Sequence, residues 1–264
     1  MDYGLAFKYV FNDRKSVQKL LLGGLIALVP ILNFVIGGYL LQVIRNIRDK
    51  MDFPLPEWGE EFGSKWVKGL LLYLILLIYM IPLIIILAIP MMMLIPVVIA
   101  AISTRVMGGV APSTLPEAIT AILANTFGAM GIFYVFIFFI FFLISAIYML
   151  AFYYFINSVI TRFAITGDFK EAFKLKELVD YIKKDPKSYT LTWLVLIGTF
   201  FGVSIVSSIV NSVVGVIGAI PFVGWCLSIL LVPASLYAMG ILLYYAVCVQ
   251  GNLLGQLCNK NISI

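Results

Sequence analysis

Four long apolar runs, with most of the basic residues set between them, leave this chain little to fold into except a lipid bilayer. Residues 20–44, 69–104, 127–160 and 189–250 contain no charged side chain. About 20 apolar residues suffice for one transmembrane helix. The chain is 62% hydrophobic and 12% charged, against about half and about a quarter in an ordinary soluble domain. A soluble globular domain, a disordered chain and a collagen-like chain are therefore excluded. The expected class is an all-α integral membrane protein with about five or six hydrophobic helical segments, some broken or re-entrant, plus interfacial helices. Residues 1–264 read as one helical membrane domain.

The formal charge of +5 lies in blocks beside the apolar runs. That placement points to anionic lipid headgroups as partners and not to nucleic acid. Lys15, Lys19, Arg45, Arg48, Lys183 and Lys184 are the candidate headgroup contacts. Cys226, Cys248 and Cys258 form no CxxC pair and read as small packing residues.

Residues 1–19 place Tyr3, Phe7, Val10 and Phe11 at helical spacing among Lys8, Arg14, Lys15 and Lys19. This is the pattern of an interfacial helix with its aromatic face in the headgroups. The run that follows shows no A-x-A-like site, so no cleaved leader is expected.

Pro30 and Asn33 interrupt the first run midway, and basic residues flank both of its ends. The positive-inside rule draws both ends to the cytoplasm. A re-entrant hairpin with its tip at Pro30–Asn33 satisfies this, whereas a plain spanning helix leaves one basic end outside; both readings stand at this level. Residues 45–68 carry "FPLPEWGEEFGSKW", with Trp58 and Trp66 suited to the interface and Glu57, Glu60 and Glu61 suited to a solvated acidic loop. Gly69–Thr104 contains Pro82, Pro90 and Pro96, which favours a kinked helix plus a half-helix or a second short span. Residues 112–126, with Pro112, Pro116 and Glu117, read as an interfacial helix or loop. Residues 161–188 form a basic, amphipathic, cytoplasmic segment. Asp168 and Glu171 there have capping-box spacing, and Pro186 gives a stop. Both basic loops belong on one side, so an even number of crossings must separate them, and two more return the C-terminus to the cytoplasm.

The segment 24–41 aligns without gaps on 215–232, with Gly24/Gly215, Ile26/Ile217, Pro30/Pro221 and Leu40/Leu231 identical. Two membrane helices that break alike explain this, as does a pair of related breaks around a midplane site. Pro30, Asn33, Pro221 and Gly224 are the candidate break residues. Ser204, Ser207, Ser208, Asn211 and Ser212 recur at helical spacing along one face. Such a stripe packs helices closely through small residues, or it lines a polar path.

Catalysis has little to draw on. There is no histidine, which removes imidazole as a base, a metal ligand or a near-neutral switch. No GxSxG elbow, P-loop or metal-ligand cluster is present. No catalytic, cofactor-binding or metal residue is assigned, and no enzyme is expected.

The segments "KLLLGGLIALVPILNFVIGGYLLQVIRNI" at 19–47, "LPEWGEEFGSKWVKGL" at 55–70, "EAFKLKELVDYIKKDPKSY" at 171–189 and "VQGNLLGQL" at 249–257 together resemble the domain-of-unknown-function 4013 family of prokaryotic membrane proteins. The resemblance implies a multi-pass helical protein and carries no catalytic residues. The expected role is a structural or interaction protein of the cell membrane that organises lipid or partner subunits, homo-oligomers included. A channel or transporter for a small solute or lipid is the alternative.

Overall fold

In the computed structural model, residues 1–51, 55–107 and 131–262 are described, and every regular element among them is helical. In chain order these are α1 (Tyr3–Lys8), α2 (Ser16–Leu28), α3 (Phe34–Arg48), α4 (Phe62–Met107), α5 (Gly131–Thr166), α6 (Leu175–Lys184), α7 (Pro186–Gly218) and α8 (Val223–Ile262). Short 3₁₀ turns at Tyr9–Asn12 and Phe169–Phe173 link α1 to α2 and α5 to α6. The expected interfacial segment 112–126 lies outside the described residues. The six apolar helices α2, α3, α4, α5, α7 and α8 match the all-α membrane class.

The first apolar run does break where proline and asparagine predict. α2 ends at Leu28 and α3 begins at Phe34. Their 13 and 15 residues reach roughly 20 Å and 22 Å, each short of the ~30 Å hydrocarbon core. Trp66 closes the turn by donating its indole N–H to the Ile31 carbonyl at 2.9 Å. By contrast, Phe62–Met92, Val135–Thr166, Pro186–Gly218 and Val223–Asn261 are each long and apolar enough to cross a membrane. The second run is one helix, continuous through Pro82, Pro90 and Pro96. This corrects the expectation of a separate half-helix. Neighbouring polar groups and local adjustment allow proline inside membrane helices.

Two compact units divide the chain: residues 1–76 with 154–264, and residues 77–153. In the second unit the Tyr148 hydroxyl donates to the Tyr79 carbonyl, and residues such as Phe136, Phe142 and Ile147 are exposed.

In the first unit both arms of the hairpin pack against α8, and glycines set the approach. A Cβ on Gly24 would strike Ile241, and one on Gly240 would strike the Gly24 carbonyl. Gly251 and Gly255 do the same for α3, against Val43 and Ile47. α3 crosses α4 through Gly38 and Gly69, whose Cβ atoms would fall on the carbonyls of Lys65 and Phe34. The hairpin thus lies beside residues from about Tyr237, which donates to the Leu21 carbonyl, to Asn259, which donates to the Ile47 carbonyl. The first turns of α8 run on past its tip.

The N-terminal segment is more deeply engaged than an interfacial helix requires. Tyr9 and Val10 are buried, the Tyr9 hydroxyl donates to the Cys248 carbonyl at 2.7 Å, and the Tyr245 hydroxyl donates to the Phe7 carbonyl. Phe11 alone of the four expected aromatic-face positions is mostly exposed.

α5 stops at Gly167, which adopts a positive φ of 69° and donates to the Phe163 carbonyl. A left-handed residue just past the last turn is the usual helix terminator. The capping-box and stop signals of the 161–188 segment do not bound one continuous helix. Asp168 accepts from the Lys170 amide and caps a 3₁₀ turn, while Glu171 turns away to Arg162. Pro186 both stops α6 and opens α7, with Asp185 capping α7 through the Ser188 amide at 3.0 Å. Proline suits this first helical position because its missing N–H has no intrahelical partner there.

Candidate functional site

The main polar assembly is a clamp around residues 55–61. Lys19, in the first turns of α2, is only 4% exposed. Its ammonium donates to Asp13 and to the Leu55 carbonyl, both at 2.9 Å, and lies 3.2 Å from Glu57. Lys65, at the start of α4, is also buried and donates to the carbonyls of Glu57 and Glu60. Trp58 donates its indole N–H to the Lys19 carbonyl at 3.1 Å, and the Tyr39 hydroxyl donates to the Pro56 carbonyl at 3.0 Å. The Trp58 ring stacks on Tyr39 at 4.5 Å, and Tyr244 abuts both at 5.3–5.4 Å. A loop that forms no ladder of its own must place its carbonyls somewhere. Here two lysines and the Tyr39 hydroxyl take them.

A second polar assembly gathers the ends of α3, α5 and α8 with the start of α7. Arg45 donates to the Ala164 carbonyl in the last turn of α5, a position where a cation complements exposed carbonyls and the helix dipole. Arg162 bridges Glu171 and Glu177, and Lys174 bonds the same two carboxylates. The Lys174 bond is the main cause that holds the Glu171 carboxyl below its usual range, with Arg162 adding to it. Lys260 pairs with Asp185 and donates to the Ser188 hydroxyl. Lys260, together with the Ser188 amide, holds the Asp185 carboxyl down at about 2. The N-terminus joins here too: Gln256 exchanges hydrogen bonds with the Asp2 backbone at 2.8 and 3.0 Å. The segments 45–51 and 161–188 therefore meet at one end of the unit.

The structure distributes the predicted headgroup contacts unevenly. Lys15 is exposed and lies 3.6 Å from Glu57. Arg48 pairs with Asp49 at 2.7 Å. Lys183 is exposed, and Lys184 is exposed with its ammonium 3.4 Å from the Asn261 carbonyl. Lys19 is a correction, being buried in the loop clamp; Arg45 is half-buried and caps the end of α5. Trp58, expected at the interface, is likewise in the core.

Ser204, Ser208, Asn211 and Ser212 share a face on α7, and that face is exposed; Ser207 is buried. Ser204 and Ser212 donate back to the carbonyls of Phe200 and Ser208, and Asn211 donates to the Ser207 carbonyl and contacts the Met239 sulfur. Pro221 and Gly224 do mark a break, between α7 and α8, as Pro30 and Asn33 do in the first run. The two breaks differ in setting. The first folds a short hairpin, and the second joins two helices of spanning length. The hairpin meets α8 from about Tyr237 onward, whereas Pro221 precedes its start.

Sequence reasoning missed Lys65, the Tyr39–Trp58–Tyr244 stack and the Asp185–Lys260 pair. The signal for the first two was the LPEW segment itself, which has polar and aromatic residues too closely spaced for a simple solvated loop.

No curated protein and no solved structure matches this chain. The family model described as a protein of unknown function, DUF4013, matches residues 21–212. That span takes in most of the hairpin, residues 55–61 and α7 down to Ser212 with its polar stripe, and the chain belongs to the DUF4013 family.

Proposed function

We propose that this protein is a structural membrane protein and not an enzyme. In this reading it organises lipid and neighbouring subunits in the cell membrane, a second copy of itself first among them. The observation that carries the reading is the position of the Ser/Asn stripe. Polar groups that line a conduit through one chain face inward, and Ser204, Ser208, Asn211 and Ser212 face out. Around them Phe201, Ile205, Ile209 and Val213 are exposed as well. Small and hydroxylated residues on an outer membrane face let a second helix come close and bond across the contact. The spans bury only 6–17% of their apolar windows within the chain, which leaves wide faces for lipid and for other helices. The α2–α3 hairpin is re-entrant in this reading, and the joined ends of α3, α5 and α8 face the cytoplasm.

Mass measurement of the full chain in lipid nanodiscs tests this. Oligomers are expected, and Ser208→Leu is expected to shift them to monomers with helicity unchanged. A monomer under all conditions overturns the reading. So does solute flux in proteoliposomes that Ser208→Leu abolishes, which would make the stripe the wall of a path.

A further inference from the structure

We infer that the first turn of α2 holds one anionic phospholipid molecule. A groove of about 570 Å³ opens there, and among the described residues that line it the charges are Arg14 and Lys15 alone, both positive. Its remaining wall is Ser16, Gln18 and the apolar side chains Val17, Leu21 and Leu22. Val17, Leu21 and Leu25 continue down α2 as an exposed apolar rail. The helix is roughly 20 Å long, enough to match one leaflet, half of the ~30 Å core. Cations at the head and a rail of leaflet depth complement a phosphate with acyl chains below it.

Arg14 and Lys15 also wall a second pocket, of about 340 Å³, on the inner side of the same turn. Gln42 lines it, and its side-chain oxygen is shut off from solvent with no hydrogen-bond partner in the protein. A buried acceptor left unpaired is costly. Glu60 lines the same pocket. Asp13, Glu57 and Lys19 line it too, with Lys19 engaged by both carboxylates. The inner pocket therefore asks for a donor, and a headgroup that carries hydroxyls beyond its phosphate supplies one. Phosphatidylglycerol has both the charge and the donors. This inference is independent of whether the spans assemble, because the groove lies on α2 and not on α7.

The test is retention of lipid by the full chain released from nanodiscs of mixed phosphatidylcholine and phosphatidylglycerol, counted by native mass spectrometry. One phosphatidylglycerol is expected to stay. Arg14→Gln with Lys15→Gln should weaken its binding roughly thirty-fold, at about 1 kcal/mol per cation. The charge-preserving Arg14→Lys with Lys15→Arg should retain it, which separates lost binding from lost folding. Lys176→Gln with Lys187→Gln removes the same charge elsewhere, at exposed positions, and should change nothing. Equal retention by the Arg14/Lys15 double variant overturns the site. So does equal loss in the Lys176/Lys187 control, equal retention of phosphatidylcholine, or displacement by soluble glycerol phosphate, which would leave the apolar rail without a role.

Discussion

Replacing Lys19 by methionine tests the loop clamp at its centre. The side chain keeps its length and loses its charge. Three acceptors then lose their donor: Asp13 at 2.9 Å, the Leu55 carbonyl at 2.9 Å and Glu57 at 3.2 Å. Glu57 is 43% exposed and water can serve it, whereas Asp13 is 6% exposed and cannot be served in that way. Breaking a buried pair from one side costs about 3–5 kcal/mol, because the remaining charge stays buried. Asp13 keeps the Lys15 amide at 2.8 Å, so the lower end, about 3 kcal/mol, is expected. Adding Asp13→Leu should recover part of that loss, since replacing both partners removes the orphaned charge. The control is Lys15→Met, whose ion pair with Glu57 is exposed on both sides and should be worth less than about 1 kcal/mol. The assay is unfolding in mixed micelles followed by far-ultraviolet circular dichroism, with proteolysis of residues 55–61 as a local readout. If Lys19→Met is no worse than Lys15→Met, Lys19 is not holding the loop and the clamp is wrong.

Two further outcomes follow from the packing and the charges. Gly69→Ala sets a methyl group against the Phe34 backbone carbonyl, which cannot move aside, and should cost about 3 kcal/mol. Gly202→Ala enters open space and should be neutral or favourable by up to about 1 kcal/mol; similar values for the two would refute the α3–α4 crossing. The Asp185 carboxyl is held down at about 2, below its unfolded value of about 3.9. Its pairing therefore contributes full stability above about pH 4 and loses it as the pH falls towards 2. Asp185→Asn should be less stable than the parent at pH 7, with the two thermal midpoints converging near pH 2; a constant gap across that range would show that the pair does not set it.

How much of this was legible depends on whether the cause is local. Pro30 and Pro221 announce breaks because a missing donor and flanking glycines act within one turn. The Ser/Asn face of α7 was readable from spacing alone, since periodicity reports which residues share a face, though not what that face meets. Lys19 was misread because its neighbours in sequence are Lys15 and an apolar run, whereas its partners come from Asp13 and from a loop more than thirty residues later. Arg45 follows the same rule, since its acceptor is 119 positions away. Pro186 was read correctly as a stop and incompletely as a start, because Asp185 caps the next helix. In the second run, length and three prolines argued for a division that the structure does not make.

The hairpin has a consequence in time as well as in space. Its arms meet mainly through α8, and the bonds that fasten it there join residues 212 to 216 positions apart. At about 5–20 residues per second of synthesis, α2 and α3 wait roughly 10–40 s before their partner exists. Through that interval the glycine faces at Gly23 and Gly24 stand open. The two short helices must wait for α8, and a chain that stops short of it should leave the hairpin unplaced however well its own sequence folds.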